Sequence, residues 1–507
     1  MSAAGNIAIV VGGGLGGLAS AMRLGAKGYH VTVLDRLDRA GGRGSSITES
    51  GHRFDLGPTI VTVPQLFEEL WAACGEDFRK DVDLRPLDPF YEIRWPDGST
   101  LKATGDTEAM VAEIARLSPR DVKGYRRFLA DSEARYSFGF EDLGRRPMNK
   151  LMDIIKVLPT FVRLRADRSV HAHVAARVRD PRLRMALSFH PLFIGGDPFH
   201  VTSIYALVCH LEKEFGVHYA VGGVQAIADA MVRVIRRQGG MVRQGAEVDE
   251  ILVEEGAATG VRLTDGTVMG ADIVVSNADA GHTYDRLLRN MPKRRWSPAK
   301  LKRQRWSMGL YVWYFGTRGT ADQWRDVGHH TILNGPRYKG LVNDIFMTGK
   351  LADDMSIYLH RPTVTDKGAA PEGDDTFYAL SPVPHLGGKI PVDWAREAPR
   401  YQRKMTAELE KVIPGFEDKL SASMAFTPEH FRDRYLSPYG SGFSIEPRIF
   451  QSAWFRPHNV SEEARGLYLV GAGTHPGAGL PGVISSAEVL AKLVPDAPQV
   501  VQRLAAE

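Results

Sequence analysis

At 507 residues, 43% hydrophobic and 24% charged, the chain has a globular composition that excludes a disordered or fibrous protein, and its length suits about two to four cores. A formal net charge of +4 is too small for bulk nucleic-acid binding. Cys74 and Cys209 are the two cysteines; they make neither a disulfide framework nor a metal-ligand pattern, which suits a reducing cytoplasm. A first strand beginning by about Ile7 leaves no room for a signal peptide, and no apolar run approaches the ~18–20 residues of a membrane span. The expectation is a cytoplasmic protein, soluble or peripheral on a membrane.

Residues 6–35, NIAIVVGGGLGGLASAMRLGAKGYHVTVLD, carry the strongest signal. An apolar strand runs into Gly12-x-Gly14-x-x-Gly17, a helical stretch follows and ends at Gly28, and a second strand over 31–34 delivers Asp35. The first glycine allows a tight turn, the second lets backbone approach a pyrophosphate, and the third lets helix pack on strand. Phosphate then sits at the helix N-terminus, and Asp35 accepts hydrogen bonds from the adenosine ribose. Immediately after come Arg36 and the run Gly41-Gly42-Arg43-Gly44. Flavoproteins of the amine-oxidase and carotenoid-desaturase type carry a similar R-x-x-G-G-R run, in which paired glycines approach the cofactor and arginine reaches its diphosphate. That resemblance favours FAD over a nicotinamide cofactor.

Farther along, residues 51–59 form a turn-rich stretch, including Gly57, Pro58 and Thr59, that folds back over the cofactor. YEIRW followed by Pro96-Asp97-Gly98-Ser99 predicts a hairpin, and residues 107–211 read as helical. Residues 222–277 give a helix ending at a glycine pair, a meander around Asp265-Gly266, and a buried return strand. The aromatic stretch 306–316 predicts a strand whose side chains serve a sheet core rather than a cavity wall. Residues 376–383 and 441–447 read as further strands of that sheet, and 466–473 as a strand entering a glycine-rich turn before a helix over 482–493.

This order predicts an α/β (α+β) fold. A Rossmann-like FAD-binding domain is assembled from 1–80, 215–290 and 461–507, a substrate domain on a mixed sheet from 81–106 and 291–460, and a helical, membrane-facing region from 107–214. Pro481 at the last helix's start agrees with helix-start chemistry. The free N–H groups of that turn, at Gly482 and Val483, would stabilise negative charge on reduced flavin.

At this point the chain closely resembles the bacterial phytoene desaturase family of carotenoid biosynthesis, most of all its purple photosynthetic branch. The resemblance runs through GGRG (41–44), FDLGPTIVT (54–62), FHPLFIGGDPF (189–199), VSNADAGHTY (275–284), QSAWFRPHN (451–459) and VGAGTHPGAGLPGV (470–483). It implies FAD contacts at Gly12, Gly14, Gly17, Asp35, Arg36, Gly42, Arg43, Gly57, Pro58, Thr59, Val248, Gly473, Pro481, Gly482 and Val483. Wider relatives use an acid in the C-terminal turn; Thr474-His475 stand here instead, so no carboxylate is assigned to the ribityl chain.

The implied reaction is stepwise desaturation of phytoene through phytofluene and zeta-carotene to neurosporene, with lycopene the alternative end point. It needs a hydride acceptor and a positioned hydrocarbon, and no metal. By resemblance, Asp153 and Lys156 are a polar pair taking part in proton transfer, although a plain i,i+3 ion pair on a surface helix explains them too. His190 and His475 are alternatives by chemical type. Without a second complete GxGxxG unit, electrons are expected to leave to oxygen or a membrane quinone. Basic, apolar residues over 145–168, and a run from Lys293, Arg294 and Arg295 to Arg305 with Trp296 and Trp306, suit an anionic membrane surface. The expectation is peripheral attachment to the inner membrane, without nucleic-acid binding. Rival readings on the same fold are a carotenoid isomerase or hydroxycarotenoid desaturase, an amine or porphyrinogen oxidase, and a non-catalytic prenyl-lipid carrier.

Overall fold

A computed structural model describes residues 6–293 and 295–497; Arg294, named above in a basic run, lies outside the described residues. Five parallel strands, in the order Met241–Arg243, His30–Leu34, Ile7–Val11, Ile273–Ser276 and Leu467–Leu469, form the dinucleotide sheet. Alternation along Ile7–Val11 explains its layers. Ala8 and Val10 pack on the helices Leu15–Ala26, Val224–Arg237 and Leu480–Leu493, which share one core. Ile9 and Val11 face the other way, onto an antiparallel meander of Val248–Glu254, Ala257–Leu263 and Val268–Gly270. Strands buried on both faces read as continuous apolar runs, as IAIVV and IVVS do.

The second layer is a seven-stranded mixed sheet. Its order is Leu420–Phe426, Gly309–Thr317, Asp375–Val383, Ile357–His360, His330–Leu333, Tyr91–Arg94 and Thr100–Ala103. All neighbours are antiparallel except His330–Leu333 against Tyr91–Arg94. Gly309–Thr317 is buried throughout. Tyr311, Trp313 and Phe315 pack into one core with Trp394 and Phe416, while Leu310 and Val312 point to the opposite side and line a cavity. The aromatic side chains of this strand therefore serve the core, as predicted, and its aliphatic ones form the wall.

Two sequence expectations need correction. Residues 441–447 form no strand: Ser444 takes φ +64°, which breaks the extended run, and only Ile445 bridges to Trp306. The tryptophans of the second basic run are not on the surface. Trp296 is fully buried and stacked on Tyr284, and Trp306 is buried as well. Lys300 lies over the Trp296 ring at 3.7 Å, so the aromatic component of that run is spent inside the fold.

Between the two sheets the chain makes a helical excursion that includes Val122–Tyr136, Leu151–Arg163 and Leu207–Phe215. Helix Leu151–Arg163 is the unusual one. Ile154, Val157 and Phe161 pack against the core, yet Leu151, Met152, Ile155, Leu158 and Val162 are each more than half exposed. No helix among the described residues is long and apolar enough to cross a membrane.

Candidate active site

A cavity of about 570 Å³ is shared by the dinucleotide sheet, the mixed sheet and the helical excursion. At its dinucleotide end, Gly12 turns with φ +93°, and Gly13 N–H donates to the Asp35 carboxylate at 2.7 Å. Leu37 N–H donates to the other Asp35 oxygen at 2.8 Å. Burial nevertheless pushes the Asp35 carboxyl above the usual aspartate range, so a further donor such as a ribose hydroxyl would be favourable. A Cβ on Gly17 would sit 2.1 Å from the Gly12 carbonyl oxygen, which fixes that position to glycine. Helix Leu15–Ala26 starts at Gly14 with no side-chain cap and no acid in its first turn, leaving N–H groups for an anion.

The cavity is lined by Gly12, Gly14, Asp35, Arg36, Gly42, Arg43, Gly57, Pro58, Thr59, Val248, Pro481, Gly482 and Val483. Gly17 and Gly473 are not on its wall. Gly17 holds helix to turn, and Gly473 packs against Ser444 and Ala280, where a Cβ would meet atoms at 2.8 and 3.0 Å; its neighbour Ala472 lines the cavity instead. The Arg43 guanidinium lies 5.3 Å from the Tyr435 ring centroid and bonds Ser437, with its Nε buried and unpartnered. Helix Leu480–Leu493 begins at Gly479, φ +94°, again without a side-chain cap or an acid in its first turn, and a Cβ on Gly482 would lie 2.6 Å from the Gly477 carbonyl.

Several residues on this wall were not read from sequence. Asn277 donates to the Gly12 carbonyl at 3.2 Å, and Asp279 keeps one buried, unpartnered oxygen, its carboxyl raised by burial despite Arg43. Both follow the strand Ile273–Ser276 at the carboxyl edge of the parallel sheet, where ligands of such folds bind; the segment VSNAD carried that signal. The unpaired polar atoms, the two uncapped helix N-termini and the glycine cradle together fit an FAD.

The remaining wall is mostly apolar. Phe189, Leu192, Phe193, Leu310, Ile332 and Leu380 contribute, with Phe161 from the exposed helix. Asp153 and Lys156 are not brought here. The Asp153 carboxylate accepts from Lys150 N–H at 2.9 Å as part of the helix's N-terminal turn, and Lys156 is exposed.

The two histidines differ. His190 contacts Glu212, a wall residue, at 3.1 Å, and Tyr91 donates to the same carboxylate at 2.8 Å. Burial opposes charge on His190, but Cys209 and Glu212 more than offset it and push it up to about 10, so it is already protonated near neutrality. His475 lies on the wall with Nε2 at 3.0 Å from the Leu143 and Arg146 carbonyls. Burial pushes it down to about 4, and its Nδ1 is buried without a partner.

The raised His190 has a stability consequence. Its contribution is complete below the unfolded value of about 6.5 and is lost as pH rises through about 10. Thermal melts between pH 6 and 10 are expected to show a decline that His190→Gln flattens; parallel curves for the two proteins would remove the ion pair as its cause.

Comparison with known proteins agrees with this geometry. The family model for flavin containing amine oxidoreductase matches residues 15–494. The chain is 68% identical over 506 residues to a phytoene desaturase (neurosporene-forming) of Cereibacter sphaeroides, covering 99% of this chain and 98% of the relative. It is 66% identical to the protein of that description from Rhodobacter capsulatus, covering 97% and 94%. Identity to a lycopene-forming phytoene desaturase of Paracoccus sp. is 45%, covering 97% and 98%. Among solved structures, an oxidoreductase from Methanosarcina mazei superposes with TM-score 0.65 at 18% identity, covering 96% of this chain and all of that one. A putrescine oxidase redesigned in its cofactor binding gives TM-score 0.65 at 13% identity, covering 96% and 98%. These two share the fold.

Proposed function

The chain belongs to the flavin containing amine oxidoreductase family and, within it, to the bacterial phytoene desaturases, and from this we propose that it converts phytoene to neurosporene by successive FAD-dependent desaturations. One observation carries the reading: a single cavity has a dinucleotide cradle on one part of its wall and a hydrocarbon-lined chamber on the other.

Bound FAD supplies a hydride acceptor for a C–H bond that no polar group activates. The protein's own residues hold, exclude and orient. Gly12, Gly14 and the first turn of Leu15–Ala26 would hold its diphosphate, Asp35 its ribose, and Arg43 would add a positive charge. The uncapped N-terminus at Leu480–Gly482 would favour negative charge on a bound flavin. Phe189, Phe193 and Leu380 keep water from a cationic hydrocarbon and fix which carbon is presented. For the departing proton we assign His475, because its neutral ring lines the cavity and one nitrogen is unpartnered. The positions of Asp153 and Lys156 do not support such a role for them.

The reading extends to the membrane. A hydrocarbon substrate is dissolved in lipid, and helix Leu151–Arg163 turns one apolar face outward while its Phe161 lines the cavity. Phe450, 74% exposed, adds to this surface from a turn joined through Phe455 to the segment packed on that helix. Lys150, Lys156 and Arg163 stand beside it. The helix is the portal of a peripheral enzyme on the inner membrane, and oxygen or a membrane quinone takes the electrons.

Expression in a host that accumulates phytoene tests the assignment. Neurosporene is expected as the main coloured product. Lycopene as the main product would overturn the three-step reading, and phytoene left unchanged by a flavin-loaded protein would overturn the desaturase reading in favour of a carrier or isomerase.

A further inference from the structure

Away from the cavity wall, three histidines meet inside the mixed sheet. His330 opens the strand His330–Leu333, His360 closes the strand Ile357–His360, and the two are direct cross-strand partners. His329 precedes them. Ring centroids are 4.5, 4.9 and 5.1 Å apart, and one nitrogen from each ring lies within 4.8 Å of the other two. Their exposures are 5%, 2% and 1%.

Two of the three rings are hydrogen-bonded in the manner of oriented ligands. The Phe90 carbonyl, 3.1 Å from His330 Nδ1, can only accept, so that nitrogen carries the hydrogen and Nε2 keeps a lone pair. His329 Nδ1 is paired with Thr365 Oγ1 at 2.7 Å. His329 Nε2, His330 Nε2 and both nitrogens of His360 make no hydrogen bond. An imidazole fixed through Nδ1, with Nε2 bare, is the usual posture of a metal-ligating histidine.

A carboxylate lies beside one of the three rings. Asp55 Oδ2 is 3.8 Å from His360 Nε2, and Asp55 Oδ1 is buried and unpartnered. Arg53, two residues before Asp55, is paired with Asp366 at 2.5 Å. Unsatisfied lone pairs gathered at one buried point are costly for a fold unless something accepts them.

We propose that His329, His330 and His360, with Asp55 as fourth ligand, bind one divalent transition-metal ion, zinc by its preference for imidazole and carboxylate in a tetrahedral set. Ligation draws the ring nitrogens to about 3.4 Å from one another, since zinc–nitrogen bonds are about 2.0–2.1 Å. The ion takes no part in the redox chemistry. It ties the mixed sheet to the end of strand His52–Asp55, immediately before Leu56, Gly57, Pro58 and Thr59 on the cavity wall.

The test uses the full-length, flavin-loaded enzyme purified without a histidine tag, passed over a chelating resin and then analysed for zinc against protein and flavin. About one zinc per chain is expected, with zinc–nitrogen distances and imidazole scattering in the X-ray absorption spectrum. His330→Asn keeps an N–H for the Phe90 carbonyl and lacks the second nitrogen; at least a tenfold loss of zinc is expected, with flavin released sooner in dilution. Zinc below a tenth per chain in the wild-type enzyme, even after incubation with an equivalent of zinc, would overturn the site, as would unchanged zinc in His330→Asn. If that variant does not accumulate folded, the wild-type spectrum decides: histidine nitrogens support the site, and sulfur-dominated ligation removes it.

Discussion

Gly17→Ala is expected to leave a protein that holds at least tenfold less FAD and has lost more than 99% of its desaturation rate. The cause is spatial. The added methyl would lie 2.1 Å from the Gly12 carbonyl oxygen, and neither side can give. Gly12 is fixed by its N–H bond to the Leu34 carbonyl at 2.7 Å, and helix Leu15–Ala26 is buried along most of its length. Relief requires sliding the helix off the turn, which costs about 1–3 kcal/mol as overpacking and moves the first-turn N–H groups away from the diphosphate. The flavin-to-protein ratio after gel filtration checks this, with circular dichroism as the control for folding. A fully loaded variant would show that the turn does not hold the cofactor.

The second large effect belongs to the exposed helix. Ile155→Asp combined with Leu158→Asp is expected to lower turnover of liposome-borne phytoene by a hundredfold or more, while flavin content and melting temperature stay near wild type. Both side chains are more than half exposed, so the soluble fold loses little by the change. Burying each in a lipid surface contributes about 1.5–3 kcal/mol, and two such losses, with two added negative charges against anionic lipid, account for the expected factor. Vesicle flotation distinguishes this from damage to the site: the variant stays at the bottom of the gradient with its flavin. Flotation and turnover equal to wild type would remove the helix as the portal.

Local chemistry made much of the cofactor site legible. Gly12, Gly14, Gly17 and Asp35 form a contiguous segment whose backbone demands are encoded residue by residue, and the glycine-proline turn before Gly482 is similarly self-contained. What escaped depends on register between distant strands. His330 and His360 become neighbours only when two antiparallel strands pair, and Glu212 meets His190 and Tyr91 only after the helical excursion folds onto the mixed sheet. Asn277 and Asp279 stood in a visible strand end, but their role needs the parallel sheet to place that end beside Gly12. Residues 441–447 misled for the opposite reason: their apolar alternation is that of a strand, while Ser444 takes a left-handed conformation beside Ser307, which bonds the Ser444 carbonyl and the Phe443 N–H. The tryptophans at 296 and 306 look interfacial by composition, and tertiary packing draws them inside.

The central claim is that hydrogen leaves the hydrocarbon for the bound flavin, and anaerobic single turnover tests it most directly. Holoenzyme mixed with phytoene-loaded liposomes in the absence of oxygen and quinone is expected to bleach its flavin absorption band in step with the appearance of phytofluene, one molecule for each flavin reduced. Phytofluene formed while the flavin stays oxidised, or a flavin that never bleaches in the presence of substrate, would contradict the account.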